Sequence, residues 1–148
     1  MSDRAVAPLP LILQRLVDAV NGHDLPSLVA CFAADYGNET PVHPERWFRG
    51  RDQVLRNWTH LFAGVPDIRA HVPRFVLDAP TVWTEWRMVG TRRDATAFEM
   101  AGVVIFEVND GLIQSATFYL EPVEHTDGDV NTAIRRAVGA PLNPKENS

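Results

Sequence analysis

The period of the hydrophobic residues changes near residue 69, and this change limits the folds open to the chain. Before that point, apolar residues recur at helical spacing in three segments. The stripes are Leu9, Ile12, Leu13, Leu16, Val17 and Val20, then Leu25, Leu28, Val29 and Phe32, then Val54, Leu55, Trp58, Leu61 and Phe62. Apolar residues three and four positions apart lie on one helix face, so we predict three amphipathic helices.

Local signals mark the ends of these helices. Asn21-Gly22 ends the first stripe and Gly64 ends the third. Asp24, followed by Pro26, has the side chain of an N-cap residue and begins the second. The first two helices are joined so tightly that they must be neighbours in space.

After residue 69 the chain is rich in β-branched and aromatic residues, which favour strands. Four segments have this character: HVPRFVLDAP, TVWTEWRMVGT, AFEMAGVVIFEVND and LIQSATFYLEPV. Asn109-Asp110-Gly111 predicts a hairpin turn, and Pro73 predicts an edge strand or a bulge. Helices followed by strands indicate an α+β fold, with the helices covering one face of an antiparallel sheet. A further apolar spacing at Val130, Ile134 and Val138 predicts a short helix, with a frayed end after Gly139.

Length and composition exclude several classes of protein. The 148 residues suffice for one domain with a core. The net charge of −5 argues against nucleic acid as a partner, and no apolar run approaches the roughly 20 residues of a membrane span. The N-terminus has no charged-then-apolar signal layout, so we predict a cytoplasmic location. The single cysteine, Cys31, excludes an internal disulfide and is expected to be a small buried apolar residue.

A curved sheet with helices on its concave side leaves an apolar cavity, which is a usual place for a small ligand. The chain has four tryptophans that could line it or serve as core: Trp47, Trp58, Trp83 and Trp86. It has no glycine-rich phosphate loop, no zinc-spaced cluster of cysteine and histidine, and no nucleophile elbow. We therefore expect no metal and no cofactor, and any catalysis would be acid–base work on a small organic molecule.

Several segments together resemble a known family. LQRLVDAVNGHDLPSLVACFAADY, FRGRDQVLRNW, VPDI, TEWRMVGT and VNDGLI are similar to the SnoaL-like branch of the nuclear-transport-factor-like superfamily. The resemblance runs from about Leu9 to Glu121. It implies a single domain shaped as an α+β cone, with its core at about 9–125 and a C-terminal extension at 126–148. It also implies a homodimer that forms through the outer face of the sheet.

The acids and bases of that family are not found at the matching positions here. Where ketosteroid isomerases have their catalytic residues, this chain has Leu16, Thr40 and Val103. Where polyketide cyclases have theirs, it has Ala116 and Phe118. Where epoxide hydrolases have theirs, it has Trp86, Met88 and again Phe118. One motif does match. Tyr36-Gly37-Asn38 lies where the epoxide hydrolases place a Tyr-x-Asn that holds the attacking water.

Four residues are the candidates for catalysis. Tyr36 and Asn38 share a face if their segment is extended, and they could hold a reacting oxygen. His43, between Pro41 and Pro44, or Glu99 could move a proton. Counted along its strand from Val103, Glu99 points inward, unless a bulge at Ala101-Gly102 reverses it. The expected apolar wall is Trp47, Trp58, Trp86, Met88, Val103 and Phe118.

Three functions remain open from the sequence. The first is an enzyme that cyclises, isomerises or hydrates a hydrophobic molecule of the polyketide or terpenoid type without a cofactor. The second is a catalytically silent module that binds a small ligand in the same pocket, which the missing acids favour. The third is a scaffold that binds a protein partner, and only the fold supports it.

Overall fold

The computed structural model describes residues 8–126 and 128–141, and its elements confirm the predicted α+β class. The helices are α1 (Leu11–Asn21), α2 (Leu25–Ala30), α3 (Arg51–Gly64) and α4 (Val130–Val138). The strands are β1 (Phe32–Glu39), β2 (Phe48–Arg49), β3 (Arg69–Asp78), β4 (Thr81–Thr91), β5 (Ala97–Asn109) and β6 (Leu112–Pro122). A turn of 3-10 helix at Pro44–Arg46 lies between β1 and β2.

The six strands form one sheet in the order β2-β1-β6-β5-β4-β3. The pairs are antiparallel except β1 with β6, which run parallel, so the sheet is mixed rather than wholly antiparallel. The predicted hairpin joins β5 to β6 through Asp110 and Gly111, whose φ angles are 52° and 74°. Two positive φ angles in a two-residue loop match the right-handed twist of the strands, which explains why this dipeptide makes the turn.

Strand β3 is an edge strand and carries the bulge that Pro73 predicts. Among the described strands it pairs only with β4, and the register shifts between His71 and Arg74. Proline has no N–H to donate to a neighbouring strand. At an irregular stretch of an edge strand, this costs the sheet the fewest hydrogen bonds.

Specific side chains attach the helices to the sheet. Asn21, at the end of α1, donates its amide to the Ala70 carbonyl at 3.0 Å and accepts from the Ala70 N–H at 2.7 Å. Asp24 caps α2 by accepting from the Ser27 N–H at 3.2 Å. The Asn21 bonds hold the end of α1 against the start of β3, whereas the Asp24 bond closes the first turn of α2. Leu13 and Val20 of α1 are fully buried, which adds apolar stabilisation.

The sheet has an inner face, which packs against the helices, and an outer face. The inner face buries Val82, Thr84, Trp86 and Met88 of β4, Val104 and Phe106 of β5, and Ala116 of β6. The outer face exposes large apolar side chains at Val76, Trp83, Val89 and Tyr119. Strand alternation places adjacent residues on opposite faces, so this division decides which side chains can reach a cavity under the helices.

Helix α4 confirms the short helix predicted in the tail. Asp129 caps its start by accepting from the Thr132 N–H at 2.9 Å, and Gly139 ends it with φ of 70°. The frayed end expected after Gly139 falls largely beyond residue 141 and so lies outside the described residues. Across residues 8–126 and 128–141, no helix is long and apolar enough to cross a membrane.

Candidate functional site

A cavity of about 580 Å³ lies between α3 and the inner face of the sheet. This volume is within the range of about 300–1,000 Å³ usual for small-molecule sites. The sheet lines it with Asn38, Met88, Met100, Phe118 and Leu120. Met88 and Met100 are directly opposite each other in the β4–β5 register, so both side chains point to the same face.

Helix α3 forms the opposite wall of the cavity. Its lining residues are Gln53, Val54, Asn57, Trp58 and Leu61, which recur at the spacing of one helix face. The segment between β1 and α3 closes the mouth with Thr40, Glu45, Arg46, Trp47 and Phe48. Trp47 is 63% exposed, so it stands at the rim rather than in the interior. The cavity is therefore apolar toward the sheet, with amides on both walls and charges at its mouth.

Tyr36 and Asn38 form a buried pair at the cavity wall. They are two positions apart on β1 and share its inner face, as expected for an extended segment. The Tyr36 hydroxyl donates to Asn38 Oδ1 at 2.7 Å. No fully buried side-chain polar atom of the described residues lacks a partner. Among the described residues Asn38 Nδ2 has no hydrogen-bond partner, so this N–H2 group is not fully buried, and at the cavity wall it is available to an acceptor.

Burial raises the pKa of the Tyr36 phenol above its ordinary range. The ionised form would have to exist in an apolar environment without a compensating charge, which is unfavourable. Tyr36 is therefore a neutral phenol that orients Asn38, and it does not serve as a base.

We expect Tyr36 to resist ionisation while the chain is folded. Its pKa is raised relative to about 10 in the unfolded chain, so the stability that it contributes is present below about pH 10 and is lost as the pH rises further. Absorbance at 295 nm, followed with circular dichroism, should show the Tyr36 signal only as the chain unfolds, and Tyr36→Phe should remove that late step. Ionisation of both tyrosines, Tyr36 and Tyr119, in the folded chain would contradict this.

His43 lies outside the cavity, although its side chain was a candidate proton carrier. Its Nε2 donates to the Glu121 carboxylate, 3.0 Å from Oε1 and 3.1 Å from Oε2. Glu121 is opposite Ala101 on the outer face of β6. The contact therefore turns the imidazole away from Tyr36 and Asn38.

The expectation that Glu99 points inward is wrong. Its neighbour Met100 lines the cavity, so Glu99 points to the outer face, where it accepts from His125 Nε2 at 2.9 Å. The β4–β5 register is continuous, so no bulge intervenes. The expectation was counted from Val103, which was assumed to point inward. Val103 is in fact opposite Glu85 and Tyr119 on the outer face. A shift of one residue along a strand reverses every side chain.

Four of the six residues expected in the apolar wall do line the cavity: Trp47, Trp58, Met88 and Phe118. Val103 does not, because it is on the outer face. Trp86 is on the inner face but is packed in the core, 4% exposed, with its ring centroid 6.1 Å from that of Phe106. Its indole N–H donates to Thr84 Oγ1 at 2.6 Å, so its polar group is already satisfied without a ligand.

Sequence reasoning missed most of the polar lining. Gln53 and Asn57 could have been found, because they flank Val54 and Trp58 on the stripe that faces the core. Glu45 and Arg46 depend on the path of the loop, which no periodic pattern specifies. Glu45 is the one carboxylate among the described residues that line the cavity. No three His, Cys, Asp or Glu side chains within the described ranges are arranged to hold a metal ion.

A second concavity, of about 600 Å³, lies between α1, α2 and the turn after β5. Cys31 borders it but is 3% exposed, and its thiol contacts the Ser27 carbonyl at 3.4 Å. Burial raises the pKa of the Cys31 thiol, which disfavours the reactive thiolate. Cys31 is thus a buried, unreactive side chain, and the cavity beside α3 is the better candidate site.

Comparison with known proteins identifies a family model and several solved structures. The family model described as a SnoaL-like domain matches residues 13–116. No curated protein matches the chain.

Three solved structures illustrate the structural likeness. A putative ketosteroid isomerase from Kribbella flavida is 23% identical, with a TM-score of 0.63 over 92% of this chain and 90% of that one. A Mycobacterium tuberculosis protein in complex with estradiol-17β-hemisuccinate is 18% identical, with a TM-score of 0.65 over 74% and 90%. A Catenulispora acidiphila protein with a ketosteroid isomerase-like fold, in complex with trimethylamine, is 19% identical, with a TM-score of 0.64 over 76% and 87%. At these identities, the likeness shows the fold.

Proposed function

The chain belongs to the family of SnoaL-like domains, and we propose that it binds a small hydrophobic molecule in the cavity between α3 and the sheet. The observation that carries this proposal is the Asn38 N–H2 group, oriented by Tyr36 and free to meet an oxygen of a ligand. Two of the similar structures contain small molecules, estradiol-17β-hemisuccinate and trimethylamine, which supports a small-molecule role.

The lining defines the ligand that this proposal favours. Met88, Phe118 and Leu120 cover an apolar body, and Asn38 donates to an oxygen attached to it. A polyketide- or terpenoid-like molecule has this combination of a carbon skeleton and few oxygens. Because burial of the skeleton supplies most of the affinity and the hydrogen bond supplies orientation, one polar contact is sufficient.

Binding without catalysis is the function that the geometry supports best. Cyclisation, isomerisation and hydration each need a side chain that moves a proton beside the bound molecule. His43 and Glu99 contact Glu121 and His125 outside the cavity, so neither is placed for that step.

The second candidate is an acid–base enzyme of the same cavity, and Glu45 favours it. Its carboxylate lines the mouth, where it could exchange a proton with a molecule held by Asn38. Tyr36 and Asn38 would orient the reacting oxygen or a water. The two candidates differ in one observable, which is conversion of the bound molecule.

We expect the terpenoid ketone β-ionone to bind the chain, and Leu120→Trp to abolish that binding by filling the cavity. Asn38→Leu should weaken it about tenfold, because one hydrogen bond to the ketone is lost. Isothermal titration calorimetry measures both effects. Tyr119→Trp is the matched control, since it adds the same indole to the preceding residue of β6, which is on the outer face. Equal affinities for Leu120→Trp and Tyr119→Trp would contradict the assignment of the site.

The outer face of the sheet is proposed as a contact between two copies of the chain. Val76, Trp83, Val89 and Tyr119 expose between 40% and 67% of their surface there. Large apolar side chains on one sheet face are more stable when a second surface covers them. A homodimer would do so without blocking the cavity on the inner face.

The cytoplasmic location stays a prediction.

A further inference from the structure

A chain of hydrogen bonds on α3 ends at the cavity, on the wall opposite Asn38. Arg56 donates to Gln53 Oε1 from Nη2 at 2.7 Å and from Nε at 3.3 Å. Gln53 Nε2 then donates to Asn57 Oδ1 at 2.8 Å. Gln53 and Asn57 line the cavity, whereas Arg56 is on the exposed side of the helix.

The guanidinium fixes the direction of this chain. Arginine only donates, so the atom of Gln53 that it meets must be the amide oxygen. The amide nitrogen of Gln53 is then the atom that faces Asn57, and it can only donate. The Asn57 amide must therefore accept with its oxygen, and its N–H2 group has no protein partner within residues 8–126 and 128–141. No fully buried side-chain polar atom in the described part of the chain is unpaired, so this group is accessible to a ligand.

We propose that Asn57 holds a second oxygen of the bound molecule, so that the cavity takes a ligand with two acceptor oxygens, such as a diketone or a keto ester. This inference rests on the proposed binding function and names the ligand class for the same site. Asn38 on the sheet and Asn57 on α3 each present N–H donors, and each has its amide oxygen already bonded.

Carbonyl groups fit this arrangement better than hydroxyl groups do. A carbonyl oxygen only accepts, and an amide N–H2 group satisfies it completely. A hydroxyl at the same place would also bring an O–H donor, and each amide oxygen already accepts one hydrogen bond from the protein, so the hydroxyl would have to share it. A donor that must share an occupied acceptor gains less than one that meets a free acceptor, so both asparagines favour carbonyl oxygens. Arg56 is a positioning residue in this scheme, because it acts on the ligand only through Gln53 and Asn57.

Nuclear magnetic resonance of the full ¹⁵N-labelled chain tests this directly. The probes are 1,4-cyclohexanedione and 1,4-dimethylenecyclohexane, which share size and shape and differ in the two carbonyl oxygens. Both should shift the indole N–H signal of Trp58, which reports entry into the cavity. Only the dione should move the side-chain N–H2 signals of both Asn38 and Asn57 downfield.

Variants of α3 then separate the roles of its residues. Asn57→Leu should weaken binding of the dione about fivefold, because one of its two hydrogen bonds is lost. Gln14→Leu is the matched control, since Gln14 is a helix-surface amide bonded to Asp18 away from the cavity. Arg56→Met should broaden the Asn57 N–H2 signal and reduce its shift, and Arg56→Lys should restore both.

The two possible failures are distinguishable. A dione shift at Trp58 and Asn38 with none at Asn57 would overturn this inference and leave the binding function standing. If neither probe shifted Trp58 or Asn38, the inference and the binding function would both be overturned. Equal downfield shifts of Asn57 with both probes would also overturn the inference, because the carbonyl would then be irrelevant.

Discussion

Replacing Gly102 with alanine is expected to abolish folding. Gly102 lies in the middle of β5 on the inner face, between Trp86 on β4 and Leu120 on β6. Its φ is 151°, in a region that L side chains rarely adopt. An added Cβ would overlap the Tyr119 carbonyl oxygen and lie 2.9 Å from Leu120 Cα.

The clash at Gly102 is with backbone, so no rotamer change can relieve it. Strands β5 and β6 would have to separate at the centre of the sheet, where their ladder is continuous on both sides. We expect a loss of more than about 4 kcal/mol, which is comparable with the whole stability of a small domain.

Circular dichroism and thermal unfolding measure the effect of Gly102→Ala. Gly37→Ala is the matched control, because Gly37 is also within a strand but a Cβ there meets nothing within 4 Å. The control should unfold within a few degrees of the unmodified chain, whereas Gly102→Ala should show no cooperative transition. A Gly102→Ala variant as stable as the control would refute the close approach of β5 and β6.

Replacing Thr84 with valine is expected to cost about 3 kcal/mol, although the two side chains have the same shape. The Thr84 hydroxyl accepts from the Trp86 indole N–H and donates to the Val104 carbonyl, both at 2.6 Å. Thr84 is 1% exposed and Trp86 is 4% exposed, so water cannot replace the hydroxyl. The substitution therefore leaves a buried donor unpaired and removes a bond to the next strand.

Urea unfolding of Thr84→Val and of the control Thr117→Val measures this cost. Thr117 is on the outer face, opposite Ile105, and should change stability by less than about 1 kcal/mol. Trp86→Phe removes the unpaired N–H, so the double variant with Thr84→Val should lose less than the sum of the single losses. Additive losses would mean that the indole N–H is satisfied in another way.

The fold could be predicted from the sequence because its signals are local. The stripes of α1 and α3 follow from residues three and four positions apart. The Asp110-Gly111 turn and the bulge at Pro73 follow from the backbone preferences of single residues. The parallel β1–β6 pair could not be predicted in this way. It joins residues about 80 positions apart, and no turn sequence connects the two strands directly.

The candidate site was predicted less well for two physical reasons. Side chains along a strand alternate between the two faces. A one-residue error in the assumed position of Val103 therefore put both Val103 and Glu99 on the wrong face. His43 was misplaced because its partner, Glu121, comes 78 positions later in the chain. Tyr36 and Asn38 were placed on one face correctly, because that relation depends only on the period of their own strand.

The position of β6 between β1 and β5 also determines when the chain can fold during its synthesis. Residues 112–122 leave the ribosome last among the strands, yet they fill the middle of the sheet. Until they arrive, β1 has only the two-residue β2 as a neighbour, and β5 has one unpaired edge. Such open edges readily pair with other chains. We therefore expect a nascent chain stalled before residue 112 to aggregate more readily than the completed chain.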